Sequence, residues 1–564
     1  MQNKRLLSSR QITLETLAVG VGGLLLFTLG LWHQEFTGFE TRFAVFAKEM
    51  LRLGPSIFPK TYGEPYPDYP ATSTFLIWLI SLPFGEVNKF TAIFPTAVAC
   101  AINLALTYHL LSRISRHWAF VAVCFELLTA TFLVEARTIS LDQILATITL
   151  GVFVLVYRND VGSSLTKKTW TGIFVLLALG FFIRGPMGVV IPVAVICSYY
   201  ALTNQWNSIF KVGVPALALL ITCWFVLLFL ARLEGGEQFV ADVVRMQVTG
   251  RLSGSDVVPP HYYYLVNGLG NFAFTFPFAL IITFVVSKIA WPHLGFPVLK
   301  TPVHNEWNST LRMATLMAGW LVVLLIGLSI PQAKKSRYLL PAVPEIAALA
   351  SYSFVAQGSR VISLCYHVLQ RLLLVLPMVL MAITIYVNHY VKQQHLSVEF
   401  HDTVLLLGLG FCQLIQLGLV IKAEKSDLRD KFIVMTAVIA FWATNVLLRE
   451  PVDAQMHSAR DFVRQVETLR QQRPAPLVLY DISRDSIDIV YHVNVEGEFK
   501  PLFIDQPADL KALEYPVYLM VKDGNKNIVN KASATAVQVE WPHPIHEGFF
   551  RDGSYSIYYL EHSP

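Results

Sequence analysis

A carboxylate and a guanidinium two residues apart, Glu40 and Arg42, follow shortly after the first long apolar stretch of the chain. Ionisable groups at the rim of an apolar bundle are costly, and they usually mark a substrate pathway or a reaction centre. Others recur at comparable places, beside later apolar runs: Glu135, Arg137 and Asp142; Arg184; Arg245 and Arg251; His261; and Lys334, Lys335 and Arg337, followed by Tyr338. Such bases suit an anion like a lipid phosphate, because guanidinium and ammonium groups give charge-assisted hydrogen bonds to its oxygens. The acids at the same level, Glu40, Asp68, Glu135 and Asp142, suit proton transfer or the stabilisation of developing positive charge. Blander readings stand beside these. The bases could meet ordinary anionic headgroups, Asp142 could cap a helix, and His261, next to Tyr262, Tyr263 and Tyr264, could belong to an interfacial aromatic belt.

The elements that position these residues follow from composition. The chain has 564 residues, 54% hydrophobic and 15% charged, and its apolar runs recur at spanning length. This is the signature of a polytopic α-helical membrane protein. About thirteen transmembrane helices are expected, near 13–32, 89–111, 117–134, 139–157, 170–184, 186–203, 211–231, 263–287, 311–330, 338–356, 370–389, 402–421 and 432–449. The run at 71–85, bounded by Pro70 and Pro83, is shorter and reads as a re-entrant or interfacial helix. With Lys4, Arg5 and Arg10 inside, the basic loops carrying Arg113 and Arg116, Arg158 to Lys168, and Lys422 to Lys431 also fall inside. The first span has no small-residue cleavage site after it and reads as uncleaved. The residues that could do chemistry then collect on the outer side, in a first loop over 33–70 and a second over 232–262.

Within the first loop, Phe43, Phe46, Ala47, Met50 and Leu51 lie on one face of a helical pattern and Lys48, Glu49 and Arg52 on the other. That pattern predicts a helix lying in the membrane plane. The tail, 450–564, has globular charge density and short β-type runs at 477–480, 517–521, 536–541 and 556–560, alternating with helical patterns at 457–473, 484–493 and 507–513. It reads as a small soluble α/β domain on the outer side, a lid or docking element rather than a chemical one. All six cysteines fall in apolar runs without paired spacing, so neither a disulfide framework nor a zinc site is expected. The bases sit at loop ends rather than on one soluble face, which excludes a nucleic-acid binder.

The motifs resemble, in order, those of the GT-C lipid-sugar-dependent glycosyltransferases, the aminoarabinose (lipid A) transferases and their relatives in the dolichyl-phosphate-mannose protein mannosyltransferase superfamily. Phe39-Glu40-Thr41-Arg42-Phe43-Ala44 resembles that family's Asp-Glu-x-Arg-Tyr-Ala. Lys48-Glu49-Met50, and then Tyr66-Pro67-Asp68-Tyr69-Pro70-Ala71, are similar to the segments that follow it. Arg137 and Asp142 stand where the family has its second outer acid, and Arg184-Gly185-Pro186 resembles its Lys-Gly-Pro. Arg245-Met246-Gln247, Arg251 and Pro260-His261-Tyr262-Tyr263-Tyr264 resemble its large outer loop. Lys335-Ser336-Arg337-Tyr338-Leu339-Leu340-Pro341 resembles its lysine–tyrosine–proline element. Two departures stand out: Phe39 replaces the leading acid, and Tyr69-Pro70-Ala71 replaces Lys-Pro-Pro.

The resemblance implies a bacterial inner-membrane enzyme that moves a sugar from a polyprenyl-phosphate donor to lipid A or another envelope glycolipid on the periplasmic face, with inversion. Glu40 and Asp142 are then the candidate catalytic acids. Arg42, Arg251, Lys335, Arg337 and Tyr338 are the candidate donor-phosphate ligands, and Arg137, His261 and Tyr263 the candidate substrate or loop contacts. Asp68 stands where relatives place an acid near a divalent metal cation. With Phe39 in the leading position, either Glu40 takes the acid role, or the acceptor is already an anion, or the chain is a divergent relative with different donor chemistry or none. Protein O-glycosylation by the same chemistry, and a polyprenyl-lipid carrier or flippase without transfer, are the competing readings.

Overall fold

The computed structural model describes residues 9–32, 34–37, 40–68, 70–160, 166–249, 259–290, 306–356, 358–393, 400–422, 427–457, 460–482, 500–506, 509–522, 537–538 and 555–560. Helices dominate. Helix α1 (Ser9–Thr28) leads to α2 (Glu40–Leu53), a two-residue hairpin of β1 (Lys60–Thr61) and β2 (Glu64–Pro65), and the ten-residue α3 (Thr72–Ser81). Then come α4 (Lys89–Ser112), α5 (Arg116–Leu127), α6 (Ala130–Ala136), α7 (Leu141–Asp160), α8 (Lys167–Arg184), α9 (Met187–Leu202) and α10 (Trp206–Val244). The bundle continues with α11 (Tyr263–Asn271), α12 (Phe276–Ala290), α13 (Glu306–Ser329), α14 (Val343–Ser351), α15 (Arg360–Gln393), α16 (Asp402–Lys422) and α17 (Asp427–Thr444).

Seven of the described helices are long and apolar enough to cross a membrane, eight if the bent pair α5 and α6, at 71°, is one span. Length and composition thus support seven or eight crossings where about thirteen are expected. The shortfall has physical causes. The α8 segment carries Lys167, Lys168 and Arg184 within eighteen residues. The run expected over 338–356 breaks into a 3-10 turn (Ser336–Ala342), α14 and a second 3-10 turn (Tyr352–Phe354), because Pro341 and Pro344 interrupt helical hydrogen bonding. Helices α9, α12 and most of α16 are apolar but shorter. At 71–85 there is α3 and a 3-10 turn containing Pro83.

The structure adds detail to three sequence expectations. In α2, Glu49 is buried rather than facing solvent, and its Oε2 accepts the backbone N–H of Gly63 at 2.8 Å, which ties α2 to the β1–β2 hairpin. The loop expected from 232 is helical as far as Val244, with a break where Gly235 and Gly236 leave helical φ/ψ, and ends in a π-helical turn at Arg245–Thr249. The boundary expected after Arg449 falls inside a continuous helical run: α17 passes through a π-helical turn at Asn445–Arg449 into α18 (Glu450–His457).

Beyond it, α19 (Arg460–Gln472) packs on a five-stranded sheet of β3 (Leu477–Tyr480), β4 (Leu502–Ile504), β5 (Val517–Lys522), β6 (Val537–Gln538) and β7 (Tyr555–Leu560). The order is β4-β3-β5-β7-β6, parallel across the first three strands and antiparallel thereafter. Every residue of β3 is buried: Leu477 and Leu479 pack toward Phe462 and Val466 of α19, whereas Val478 and Tyr480 pack toward Leu510 on the other face. That is the period-2 division of a strand covered on both sides. Strand β4 was not read from the sequence, and the helical pattern at 484–493 lies outside the described residues. The sheet rests on the first loop, with Tyr62 edge-on to Phe503 at 5.8 Å and Lys500 Nζ 3.4 Å from Glu64. Loop and sheet therefore occupy the same end of the molecule.

Candidate active site

Asp142 sits in the first turn of α7 and Arg184 in the last turn of α8. Because consecutive antiparallel helices bring the start of one beside the end of the next, the acid lies at a positive helix end and the base at a negative one. Glycine fixes the second of these ends. Gly185 holds φ +61° and ψ −147°, a region that L side chains avoid, and a Cβ built on Gly188 would lie 1.9 Å from the Gly180 carbonyl oxygen. So α8 turns tightly into α9, and Arg184 has little freedom. Its Nε donates to Asp142 Oδ1 at 2.7 Å and its Nη2 to Oδ2 at 3.1 Å. Arg337 approaches from the 3-10 turn before α14, with Nε 3.3 Å from Asp142 Oδ2. The Arg184 guanidinium lies 5.2 Å from the ring centroid of Tyr338.

Asp142, Arg184 and Tyr338 line a cavity of about 260 Å³. Asp142, Arg184, Gln247, Tyr264 and Tyr338 give it a polar side; Leu145, Met187, Ile191 and Leu328 give it an apolar one. Lys335 stands beside it. Burial, then the positive charges of Arg337, Arg184 and Arg42, bring its ammonium down to about 8, against an opposing pull from Asp142. Three arginines that disfavour the charge of Lys335 suit an anion, because an anion there would relieve the repulsion.

Glu40 opens α2 and is buried. Lys89, at the start of α4, places Nζ 3.1 Å from Glu40 Oε2 and donates to the Glu35 carbonyl at 2.9 Å. Burial raises the Glu40 carboxyl above the ordinary range, and Lys89 opposes that shift. Glu40 and Arg42 do not pair with each other: Arg42 lies over the Tyr66 ring at 5.5 Å. Glu135 joins the two halves of the site, since Arg337, Asp142 and Glu40 all act on it electrostatically.

Other sequence candidates fall elsewhere. Arg137 is fully buried and serves the fold: Nη1 donates to the carbonyls of Leu26, Phe27 and Leu29 at the end of α1, and Nη2 to Glu450 Oε2 at 2.9 Å. His261 is exposed, with Nδ1 3.2 Å from the Ser329 carbonyl oxygen, and Tyr263 packs edge-on against Tyr264 at 5.2 Å. Arg251 and Phe39 lie outside the described residues. Gln247 Nε2 donates to Asp68 Oδ1 at 3.4 Å; an amide N–H presents no lone pair to a metal. Among the described residues no group of three or more His, Cys, Asp or Glu could hold a metal ion.

The sequence reading placed Arg184 among the outer bases without giving it a role of its own, and it did not assign Lys89, Gln247 or Tyr264 to the site. Lys89 had a signal. Asn88 and Thr91 form a capping box, so Lys89 is a base in a helix first turn, where the dipole disfavours it. Such a placement asks for a nearby acid.

With this geometry in hand, comparison with known proteins is decisive for the fold. Residues 68–231 match the family described as dolichyl-phosphate-mannose-protein mannosyltransferase. The undecaprenyl phosphate-alpha-4-amino-4-deoxy-L-arabinose arabinosyl transferase of Pseudomonas paraeruginosa is 25% identical over 336 residues, which cover 58% of this chain and 56% of that one. Its counterpart in Pseudomonas aeruginosa strain UCBPP-PA14 is 25% identical over 361 residues, covering 62% and 60%. The matches thus span under two thirds of these relatives. The crystal structure of ArnT from Cupriavidus metallidurans bound to undecaprenyl phosphate superposes with a TM-score of 0.66 over 98% of both chains, at 14% identity. This chain has the fold of that ArnT. The same protein in the apo state gives a TM-score of 0.68, again over 98% of both chains. The GT-C resemblance read from Glu40-Thr41-Arg42 and the motifs after it is borne out.

Proposed function

We propose that this GT-C chain is an inner-membrane glycosyltransferase that takes a sugar from a polyprenyl phosphate and transfers it to lipid A or a related envelope glycolipid. The observation that carries the reading is one partly apolar cavity lined by Asp142, Arg184 and Tyr338, with Arg337 on the same carboxylate and Lys335 within reach of its charge. A phosphate with a long hydrocarbon tail needs both halves of such a site: bases for the headgroup and apolar wall for the first part of the tail. The solved ArnT that shares the fold was crystallised with undecaprenyl phosphate, which supports the same ligand class here.

In this mechanism the acceptor oxygen attacks the anomeric carbon as the bond from that carbon to the phosphate oxygen breaks, and the phosphate leaves with the electron pair. The fixed positive charges of Arg184 and Arg337 stabilise the negative charge that grows on it. A single displacement inverts the anomeric centre. Glu40, raised toward neutrality by burial and held by Lys89, accepts the proton when the acceptor is a hydroxyl; an anionic acceptor phosphate needs no base. Asp142 is a positioning residue, because its oxygens are taken by the two arginines it aims. The reading includes about thirteen crossings, a cytoplasmic N-terminus, and 450–564 as a periplasmic α/β domain resting on the first loop.

The test is transfer of radiolabelled sugar from polyprenyl-phosphate donors to envelope lipids in membranes carrying the native chain or Glu40→Gln. Lipid labelling that requires the native chain supports the reading, with its loss in the variant placing the proton acceptor at Glu40. Label appearing in protein instead would favour the second reading, O-glycosylation, which the family matched over 68–231 motivates. Donor binding without transfer would leave a carrier.

A further inference from the structure

Two polar groups on the wall of the 260 Å³ cavity are left over by the proposed displacement. Gln247 and Tyr264 both line it, and both are buried, at 4% and 1% exposure. Gln247 sits in the π-helical turn that ends α10, next to Val248, which lines the same cavity. Tyr264 lies in the first turn of α11, with the Tyr263 ring edge-on to its own at 5.2 Å. Among the described residues Gln247 Oε1 has no hydrogen-bond partner. The Tyr264 oxygen faces the backbone N–H of Lys335, which engages a lone pair only, and its hydroxyl hydrogen has no acceptor. Buried polar groups are nearly always paired, so exceptions on a cavity wall point to what enters the cavity.

The orientation of the amide follows from its neighbour. Gln247 Nε2 donates to Asp68 Oδ1 at 3.4 Å. An ionised carboxylate only accepts, so the amide nitrogen must face Asp68 and the amide oxygen is the end left to the cavity. The cavity thus receives one acceptor, Gln247 Oε1, and one donor, the Tyr264 hydroxyl. Phosphate cannot satisfy both. In a polyprenyl-phosphate sugar the phosphate is a diester whose oxygens carry no hydrogen, so it can accept from Tyr264 but has nothing to donate to Gln247. The sugar does.

A sugar hydroxyl both donates and accepts, which matches the pair. An ammonium substituent fits less well, because it brings a charge, and a buried charge needs a counter-charge. Among the described residues that line the cavity the one carboxylate is Asp142, and Arg184 takes both its oxygens. Arg337 stands on the same carboxylate and adds positive charge. We infer that Gln247 and Tyr264 are the sugar-reading residues of this cavity, and that they select a neutral, hydroxyl-bearing sugar over an amino sugar. The inference rests on the polyprenyl-phosphate reading of the cavity and names the donor class within it.

The experiment is competition binding to the full chain in detergent. A labelled polyprenyl phosphate is displaced by the unloaded lipid, by the lipid carrying a neutral hexose, or by the lipid carrying an amino sugar. The native chain should prefer the hexose lipid to the amino-sugar lipid by roughly 10-fold, the scale of one hydrogen bond. Gln247→Glu, which puts a carboxylate beside the cavity in place of the amide, should reverse that order. Tyr264→Phe, which removes only the hydroxyl, should lower the ratio of hexose-lipid to unloaded-lipid affinity by a similar factor. Equal native affinities for the two sugar lipids, or a native preference for the amino sugar, overturn the inference while the phosphate reading stands. No saturable binding of the labelled lipid overturns the phosphate reading and the inference with it. Ratios unchanged in both variants assign the two polar groups to bound water and overturn the inference. Should Gln247→Glu fail to fold, Gln247→Met, which keeps the length and removes the acceptor, should abolish the preference; an undiminished preference there overturns the inference.

Discussion

Arg184 grips Asp142 with two parallel hydrogen bonds, 2.7 Å and 3.1 Å, across the end of the bundle where α7 begins and α8 stops. A carboxylate engaged in this way, with Arg337 at 3.3 Å on the same side, is poorly placed to take a proton from an acceptor. Its chemistry is to hold two guanidinium groups in a fixed orientation, so that a phosphate meets them without reorganisation. On the proposed function the two acids divide their labour, with Asp142 ordering the anion site and Glu40, buried against Lys89, taking the proton.

Asp142→Asn should weaken donor use more than any change at Glu40 does. Removing one partner of a buried charge pair costs about 2–5 kcal/mol, so KM for the polyprenyl-phosphate sugar is expected to rise by roughly 30-fold or more at 1.4 kcal/mol per decade. Steady-state transfer measured against donor concentration checks this. A variant with native KM and reduced kcat would instead make Asp142 a catalytic residue.

Lys335 predicts a pH dependence. Its ammonium is brought to about 8 by burial and by three neighbouring arginines, so the group is charged below that pH and loses its charge as pH rises through it. Phosphate affinity should therefore be full near pH 7 and fall above about pH 8. Lys335→Arg, which stays charged, should flatten the alkaline limb of donor KM. Titrating KM between neutral and alkaline pH for both proteins decides the matter; parallel curves would remove Lys335 from the anion site.

Much of this site was legible in the sequence, and the part that was not has a common cause. Glu40, Asp142, Lys335, Arg337 and Tyr338 announce themselves as ionisable or aromatic residues at the ends of apolar runs. The helices that hold them are also visible, because apolar length survives any tertiary context. What linear spacing does not carry is partner choice. Arg137 and Arg184 both sit at helix ends, yet one is spent on the carbonyls of α1 and on Glu450 while the other reaches Asp142. Only packing separates them. The span count is only partly legible for a related reason: α8 carries three charges in eighteen residues, and the stretch around α14 is broken by Pro341 and Pro344.

Glu450→Gln should act on stability alone. It leaves the guanidinium of Arg137, which has no exposed surface, without its counter-charge. Breaking a buried pair in this way costs about 3–5 kcal/mol, although the carbonyls of Leu26, Phe27 and Leu29 remain as acceptors. The unfolding temperature in detergent is expected to drop clearly while donor KM at permissive temperature stays near native. A large KM change with native stability would return Arg137 to the substrate contacts.

Gly188→Ala tests whether the α8–α9 turn aims Arg184. A Cβ there would sit 1.9 Å from the Gly180 oxygen and 2.7 Å from the Phe181 nitrogen, both backbone atoms, so the helices must part. Arg184 lies between these contacts in sequence and is carried on the moving end, and a displacement of even 1 Å at a positioning group can cost about 100-fold in rate. The expected result is a folded protein with sharply reduced transfer and weakened donor binding. Gly213→Ala, on α10 with nothing within 4 Å of its added Cβ, serves as the matched control and should leave both unchanged. Equal activity in the two variants would mean that the bundle absorbs the separation without moving Arg184, and the anion site would then owe its geometry to Asp142 and Arg337 rather than to the turn.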